Sequence, residues 1–346
     1  MNTINDNKNP FFSVIIPCYN SKDTIERLLD SLVNQKYESM EVIIQDDNST
    51  DNFMELVEPY KSKLNIKYFK NKPREIHCPG NTRNDGIDNA TGEWITFIDH
   101  DDMFEDNIFI EVVRCIQFNN EPNLLVSEFK VLDFKTNEVI NEYDEKATFW
   151  LHGKFYNRKF LLDNNIRFKD DLITHEDHYF NQLIFGHLAL QNTGYSILKE
   201  FTYRHFHNPD SFGQKLCVID DDGLCFIDKY YDDYLKGVAD PLFELYERYP
   251  NKKQDILIKF SNCLLFAYFY YQSLFYRRKF NHYQQNREIF ERYLIKVRET
   301  LGVSNDDIIK IVYADSDSYN NMRDTVIPTC GDMIEYDSFA TFINRF

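Results

Sequence analysis

Basic charge is scarce. The 346-residue chain sets 39 Lys and Arg against 56 Asp and Glu, a formal net charge of −17. Proteins that bind nucleic acid broadly neutralise phosphates with clustered cations, so that class is excluded. Attachment to anionic lipid by charge alone is excluded for the same reason. A long uncharged apolar run is missing too. The nearest, Ile256–Tyr276, is broken by Lys259, Ser261, Asn262 and Gln272, and reads as a buried amphipathic helix, not a membrane span. Residues 1–10 are polar and Asn-rich. They lack the apolar core of a signal peptide, so the expected location is cytoplasmic, at most peripheral to the inner membrane face. The seven cysteines, at 18, 78, 115, 217, 225, 263 and 330, never fall in Cys-x-x-Cys spacing. That excludes a zinc ribbon and points to reduced thiols rather than a disulfide framework. No internal repeat or low-complexity linker is present.

Hydrophobic residues make up 43% and charged residues 27%, the balance of a folded soluble chain. The length admits two domains, each with a core. A boundary is expected between Asp210 and Asp222. It separates a polar leader (1–10) and an α/β domain (11–215) from a mainly helical region (216–346).

The first hundred residues alternate strand and helix signals. Phe12–Ile16 is a short β-branched run ended by Pro17. A helix follows with Ile25, Leu28, Leu29, Leu32 and Val33 on one face, and Ser21 or Asp23 as N-cap. Glu41–Gln45 and Ile66–Phe69 read as strands, Asn81–Ala90 as a helix stopped by Gly92, and Trp94–Ile98 as a fourth strand. This rhythm predicts a mostly parallel sheet with helices on its faces. Ligands bind such sheets beyond the carboxyl ends of the strands, so the polar residues there carry the functional information. Further on, helices are expected at Phe109–Ile116 and Tyr179–Ala189, with strands near Leu124–Val126 and Ser196–Tyr203. Leu224–Leu235, Leu242–Arg248, Ile256–Tyr276 and Ile289–Leu301 read as helices, their many Tyr and Phe residues either as core or as a subunit interface or interfacial surface that reaches a lipid-linked acceptor.

Asp99-His100-Asp101-Asp102 directly follows the fourth strand. Three carboxylates at the mouth of a buried strand repel one another unless a cation is shared. A divalent ion that carries nucleotide phosphates uses one or two such groups. Asp46 and Asp47 end the second strand, where an acidic side chain accepts from a ribose hydroxyl or a base N–H; the same DDNSTD stretch is also good turn chemistry. Arg83 sits in the first turn of the helix opened by Gly80, a position suited to anionic oxygens. His175-Glu176-Asp177-His178 precedes an apolar helix, which makes Asp177 either a general base or an N-cap. Thr202-Tyr203-Arg204-His205-Phe206-His207 closes the last strand, and its two imidazoles are either metal or phosphate partners or simply satisfied or exposed histidines.

Together these stretches resemble the family-2 glycosyltransferases, which have the GT-A fold. The matching segments are FFSVIIPCYNSKDTIERLLDSLVNQ, MEVIIQDDNSTD, GNTRNDGIDNATGEWITFIDHDD, WLHGKFYNRKFLLDNNI, HEDHYF and TYRHFH, in the family's order over roughly residues 12–210. They are most similar to members that decorate bacterial cell-surface polymers such as wall teichoic acid or capsule. The resemblance implies a nucleotide-sugar donor, usually a UDP-sugar, a Mn²⁺ or Mg²⁺ ion, and inverting transfer to a hydroxyl of a glycan or polymer. It implies that Pro17, Tyr19, Asp46, Asp47 and Arg83 hold the nucleobase and ribose, with Asp99 and Asp101 reaching the donor. Asp102 would hold the metal, with Asp101 beside it and His205 or His207 at the metal or diphosphate. Asp177 would be the catalytic base with Glu176 beside it, and Trp150 and Lys154 would border the acceptor. The helical region would serve oligomerisation or acceptor binding.

Other readings are weaker. A nucleotidyltransferase would need a Gly-rich, basic phosphate loop where this chain has Pro17-Cys18-Tyr19-Asn20-Ser21. A silent glycan-binding or scaffold protein of the same fold would have no use for costly carboxylate clusters. Glycosylation of modified nucleic acid is opposed by the net charge.

Overall fold

The computed structural model describes residues 11–74, 78–208, 229–276, 279–314 and 339–345. The chain divides into two compact units, Met1–Asp210 and Ser211–Phe346.

The first unit is built on a nine-stranded mixed sheet. Its strands are β1 (Phe12–Cys18), β2 (Met40–Asp46), β3 (Asn65–Lys70), β4 (Trp94–Phe97), β5 (Met103–Phe104), β6 (Leu124–Asp133), β7 (Val139–Tyr143), β8 (Lys154–Asn157) and β9 (Ser196–His207). The order is β3-β2-β1-β4-β8-β6-β9-β5, with β7 on β6. The run β3-β2-β1-β4 is wholly parallel, while β8 enters antiparallel to both β4 and β6. The helices are α1 (Ile25–Val33), α2 (Met54–Val57), α3 (Pro79–Asn89), α4 (Ile108–Phe118), α5 (Arg158–Asp163) and α6 (Glu176–Leu190).

Phe12, Val14, Ile15 and Ile16 of β1 are all fully buried, as expected for a central parallel strand covered on both faces. Ile25, Leu28, Leu29 and Leu32 of α1 pack into that core with Phe109 and Val112 of α4. Contrary to expectation, β1 does not end before Pro17 but continues to Cys18. Pairing with β4 stops at Ile15, where Ile98 N donates to Ile15 O, while Asp47 N donates to Cys18 O on the β2 side. The alternation of a parallel ladder turns the missing N–H of Pro17 toward the side where pairing has ended, so no ladder bond is lost. The cap of α1 is Thr24, without a side-chain cap bond, rather than Ser21 or Asp23.

Gly92 also has a different job from the one expected. Helix α3 ends at Asn89 with Ala90 extended, and Gly92 lies beyond it. A Cβ there would sit 2.6 Å from Ser13 N and 2.8 Å from Phe12 C. The glycine allows the loop to cross the start of β1, not the helix to stop.

The second unit contains α7 (Tyr231–Arg248), α8 (Lys253–Tyr276), α9 (Phe280–Leu301), α10 (Asn305–Ala314) and α11 (Phe339–Ile343). Helix α8 packs against α7, α9 and α10. The two helices expected at Leu224–Leu235 and Leu242–Arg248 meet in a single α7 that runs through Pro241; residues 224–228 lie outside the described residues. Tyr231, Tyr234, Phe260, Tyr268 and Phe290 are buried, so these aromatics are core. Among the described residues no helix is long and apolar enough to cross a membrane. Cys18, Cys78, Cys115 and Cys263 are free thiols; Cys217, Cys225 and Cys330 fall outside the described residues.

Candidate active site

Parallel pairing brings the ends of β1, β2 and β4 to one edge of the sheet. Pro17 and Tyr19, Asp46 and Asp47, and Asp99 therefore share that edge. The loops after β1 and β2 are laced together. Asn20, at φ 51°, accepts from Thr50 N at 2.9 Å, and its own N–H reaches Ser49 Oγ at 2.9 Å. Lys22 N donates to Asp51 Oδ2 at 2.7 Å. Tyr19 stands exposed above this lacing.

The two aspartates after β2 divide their work. Asp46 closes the turn by accepting from Ser49 N at 2.8 Å, and it accepts from Tyr68 Oη at 2.7 Å. Both its oxygens are engaged in the fold. Asp47 accepts from Asn71 Nδ2 at 3.0 Å, and Asn71 also donates to Thr82 Oγ1 at 3.1 Å. Gln45 donates to Asn71 Oδ1 at 2.5 Å and accepts from Asn89 at 3.0 Å. This buried amide network ties β2 to α3 and holds Asp47 at the sheet edge.

Arg83, on α3, is 5% exposed and serves three carboxylates. Its Nη2 donates to Asp99 at 2.8 Å, and its Nη1 donates to Glu176 at 2.9 Å and lies 3.5 Å from Asp177. Burial lowers and the three carboxylates raise the affinity of Arg83 for its proton; the carboxylates win. Burial pushes the Asp99 carboxyl up, but Arg83 outweighs it and holds Asp99 below the usual carboxylate range. Asp177 is the reverse. Burial, reinforced by Glu176, drives it well above the ordinary 3.8 against the pull of Arg83. A carboxylate so placed at the first turn of α6 is a stronger base than a solvated one. The helix N-cap is His175, without a side-chain cap bond, so Asp177 is not spent on capping.

Asp102 lies 19 residues after Arg83 in sequence and is fully buried. It accepts from Tyr203 Oη at 2.6 Å, from Phe206 N at 2.8 Å, and from His205 Nδ1 at 3.1 Å. His152 Nε2 lies 4.0 Å away. Asp102, His152 and His205 offer ligand atoms that lie within 4.8 Å of one another. The imidazole of His152 stacks on Tyr203 at 4.6 Å and on His205 at 4.7 Å, and its Nδ1 is buried without a hydrogen-bond partner among the described residues. Burial and the neighbouring His205 lower the pKa of His152 to about 3, so it is neutral and able to ligate. Burial works against a proton on His205, but Asp102 wins and raises its pKa to about 9.

His152 was not singled out from the sequence, where it stood only as part of the segment from Trp150 to Lys154. It is joined to Asp102 by the pairing of β8 with β4, which a linear reading does not contain. Tyr203 reaches Asp102 through the pairing of β9 with β5 and β6, equally outside a linear reading. His207, expected as an alternative to His205, is not in the cluster. Asp101 neighbours it, with burial and Asp102 raising its carboxyl to about 6. Helix α1 braces the acidic loop from behind. Thr24 Oγ1 meets His100 Nδ1 at 2.8 Å, and Arg27 donates to Asp101 O with its guanidinium 3.8 Å from the centre of the Phe206 ring. Lys154 is 1% exposed; its ammonium bonds backbone carbonyls rather than facing solvent. Trp150 is 44% exposed.

Comparison with known proteins places this arrangement. Residues 13–172 match the model of Glycosyl transferase family 2. The poly(ribitol-phosphate) beta-glucosyltransferase of Bacillus spizizenii is 33% identical over 182 residues, covering 49% of this chain and 28% of that protein. The poly(ribitol-phosphate) beta-N-acetylglucosaminyltransferase TarS of Staphylococcus aureus is 32% identical over 184 residues, covering 49% and 31%. The matched segment thus spans less than a third of either relative. A crystal structure of S. aureus TarS 1-349 in complex with UDP-GlcNAc superposes with a TM-score of 0.54 at 20% identity, over 95% of each chain. The shared architecture is the GT-A fold.

Proposed function

We propose that this chain, whose residues 13–172 belong to glycosyl transferase family 2, transfers a sugar from a UDP-sugar to a hydroxyl of a cell-surface polymer, with inversion and with a divalent metal. The observation that carries the reading is the convergence of two clusters at one sheet edge. One is the Arg83 hub that holds Asp99, Glu176 and Asp177. The other is the Asp102, His152 and His205 group. The relatives named above, one a glucosyltransferase and one an N-acetylglucosaminyltransferase of poly(ribitol phosphate), support the donor and acceptor classes.

The residues at Asp102 suit a metal ion. Asp102 offers a buried carboxylate, His152 a neutral imidazole, and His205 a second imidazole once an ion displaces its proton; two nitrogen donors favour a transition ion such as Mn²⁺ over Mg²⁺. When bound there, such an ion would supply Lewis-acid charge for the leaving diphosphate. Asp102 and His205 would hold it, with His152 as third ligand, and Asp101 beside them. His207 lies two residues further along the strand and is left to the diphosphate.

The protein's own groups do the rest. Tyr19 and Pro17 flank the nucleobase, and Asp47, oriented by Asn71, accepts from the nucleoside. Asp46 braces the turn beneath. Asp177 takes the proton of the acceptor hydroxyl as its oxygen attacks the anomeric carbon, and the nucleoside diphosphate departs from the opposite face. Arg83 fixes Asp177 and Glu176 at the correct edge and shares its charge with Asp99. A positioned base of this kind is worth on the order of 10²–10⁴-fold.

The test is a thermal-shift screen of nucleotide sugars with Mn²⁺, repeated in EDTA. A UDP-sugar at about a hundred times its Kd should stabilise the chain by about 2.7 kcal/mol, and EDTA should remove most of that gain. No shift and no hydrolysis with any UDP-sugar would overturn the reading; a shift indifferent to EDTA would overturn the metal.

A further inference from the structure

Helix α1 buries Ile25, Leu28, Leu29 and Leu32, and beside that apolar face runs a polar stripe. Its members are Thr24, Arg27, Ser31 and Gln35. Steps of three and four residues stack them along one side of the helix and its C-terminal turn. The stripe meets a single stretch of chain in order. Thr24 Oγ1 lies 2.8 Å from His100 Nδ1, and Arg27 Nη2 donates to Asp101 O. Ser31 Oγ accepts from Phe104 N at 3.3 Å. Gln35 donates to Glu105 O at 2.8 Å and accepts from Ile108 N at 3.0 Å. Ser31 and Gln35 are fully buried, so the far end of this stretch is anchored in the core. Helix α1 thus acts as a template that sets the register of the acidic loop.

Arg27 has a second set of contacts. Its guanidinium carbon lies 3.8 Å from the centre of the Phe206 ring and 4.9 Å from that of Phe134, and the two rings stand at 90° to each other. Phe206 is buried between His205 and His207 in β9, and its N–H donates to Asp102 Oδ1 at 2.8 Å. Phe134 N donates to His207 O at 3.3 Å. One side chain therefore touches both halves of the metal cluster, the acidic loop through Asp101 O and the end of β9 through a ring. The ladder that joins these halves is short, with Met103 opposite Arg204 and Phe104 opposite Tyr203. A planar guanidinium suits the task, because it donates in its plane and stacks on its faces.

Resting on the metal reading above, we propose that Arg27 is a positioning residue of the metal site. It clasps the acidic loop to the end of β9, sets the gap between Asp102 and His205, and so governs affinity for the divalent ion without touching it. Groups behind a metal's ligands orient them, and losing one costs on the order of 10–100-fold in affinity. As a bare charge Arg27 would do the reverse, because a cation beside the acidic loop repels another.

The experiment titrates Mn²⁺ alone into the full chain, with the free ion read by electron paramagnetic resonance. Arg27→Met should raise the Mn²⁺ Kd by about tenfold or more. Arg27→Lys, which keeps a cation on the rings but not the fork, should fall between it and wild type. Ser31→Ala, at the anchored end of the stripe, should lower the Tm and leave the Kd within about twofold. A second readout needs no metal. In EDTA, hydrogen exchange read by mass spectrometry over residues 201–207 should be about tenfold faster in Arg27→Met, while residues 28–36 exchange as in wild type. The clasp is overturned if Arg27→Met binds Mn²⁺ as tightly as wild type or more tightly, if Ser31→Ala raises the Kd as much, or if exchange over 201–207 is unchanged. Should wild type bind no Mn²⁺, with UDP present or absent, the metal reading fails, and hydrogen exchange decides the clasp alone.

Discussion

Replacing Arg83 by methionine keeps most of the side-chain volume and removes the cation shared by Asp99, Glu176 and Asp177. The Arg83 side chain is 6% exposed, and its partners are 35%, 13% and 23% exposed. Breaking a buried pair costs about 3–5 kcal/mol. Water reaches these carboxylates in part, which moves the expected loss to the lower end, about 3 kcal/mol. For a unit of this size that is a fall in Tm of roughly 6–12 °C. The loss has a pH signature. Asp99 is held below its ordinary 3.8, so its contribution is complete above that value and disappears as pH falls through the lowered one. Asp177 already lies well above 3.8 and rises further once the cation is gone, so in the variant it takes a proton at higher pH. Protonation relieves the repulsion, so the deficit should be smaller at the lower of two pH values, both kept above the sequence pI of about 5.0. Circular-dichroism melts in EDTA at both pH values read this directly. A deficit below about 1 kcal/mol, or one that is the same at both values, would refute the hub as a structural charge centre.

Other perturbations isolate other parts. Asp177→Asn should reduce transfer on the order of 10²–10⁴-fold while UDP-sugar binding by calorimetry is retained. Gly92→Ala places a Cβ 2.6 Å from Ser13 N and 2.8 Å from Phe12 C, backbone atoms that cannot swing aside; urea titration should show a loss of about 3 kcal/mol. Glu41 is fully buried and accepts from Thr91 N at 2.6 Å and from Lys67 Nζ at 2.5 Å. Burial raises its carboxyl, but Lys67, Ser13 and Thr91 prevail and hold it below 4.5, so its stabilisation is present above that value and lost as pH falls through the lowered one. Glu41→Gln should therefore cost about 3 kcal/mol at neutral pH, measured by chemical denaturation.

The parallel half of the sheet was legible because Phe12–Ile16, Glu41–Gln45 and Trp94–Ile98 are short apolar runs, each ending in polar residues. Its helix faces were legible from the spacing of Ile25, Leu28, Leu29 and Leu32. Acidic strand ends named Asp47, Asp99 and Asp102 as positions of interest. What a linear reading lacks is the long-range pairing. The partners of Asp102 come from the turn before β8 and from β9, about 50 and 100 residues away, and β8 runs against its neighbours. The approach of His152 and Tyr203 to Asp102 became visible only when those strands were placed. Asp46 carries bonds that no linear reading contains: it accepts from Ser49 N and from Tyr68 Oη within the fold. Helix α6 begins earlier than its apolar residues suggest, because Glu176 and Asp177 are held by Arg83 and not by core packing. In α7, Gly237 and Pro241 interrupt the apolar period, and the helix continues through both.

The bracing of the acidic loop bears on how the protein is made. Thr24 joins His100 across 76 residues, and Asp102 waits for Phe206 across 104. Contacts of such separation form late, after loop closure has been overcome. On the ribosome, β1 to β4 can pair as soon as the first hundred residues emerge, but β9 must leave the exit tunnel before Asp102 gains its neighbours. A nascent chain therefore carries buried carboxylates without their histidines for about another hundred residues of synthesis, some 5–20 seconds at ordinary elongation rates. The cluster around Asp102 is therefore the last part of the first unit to be completed.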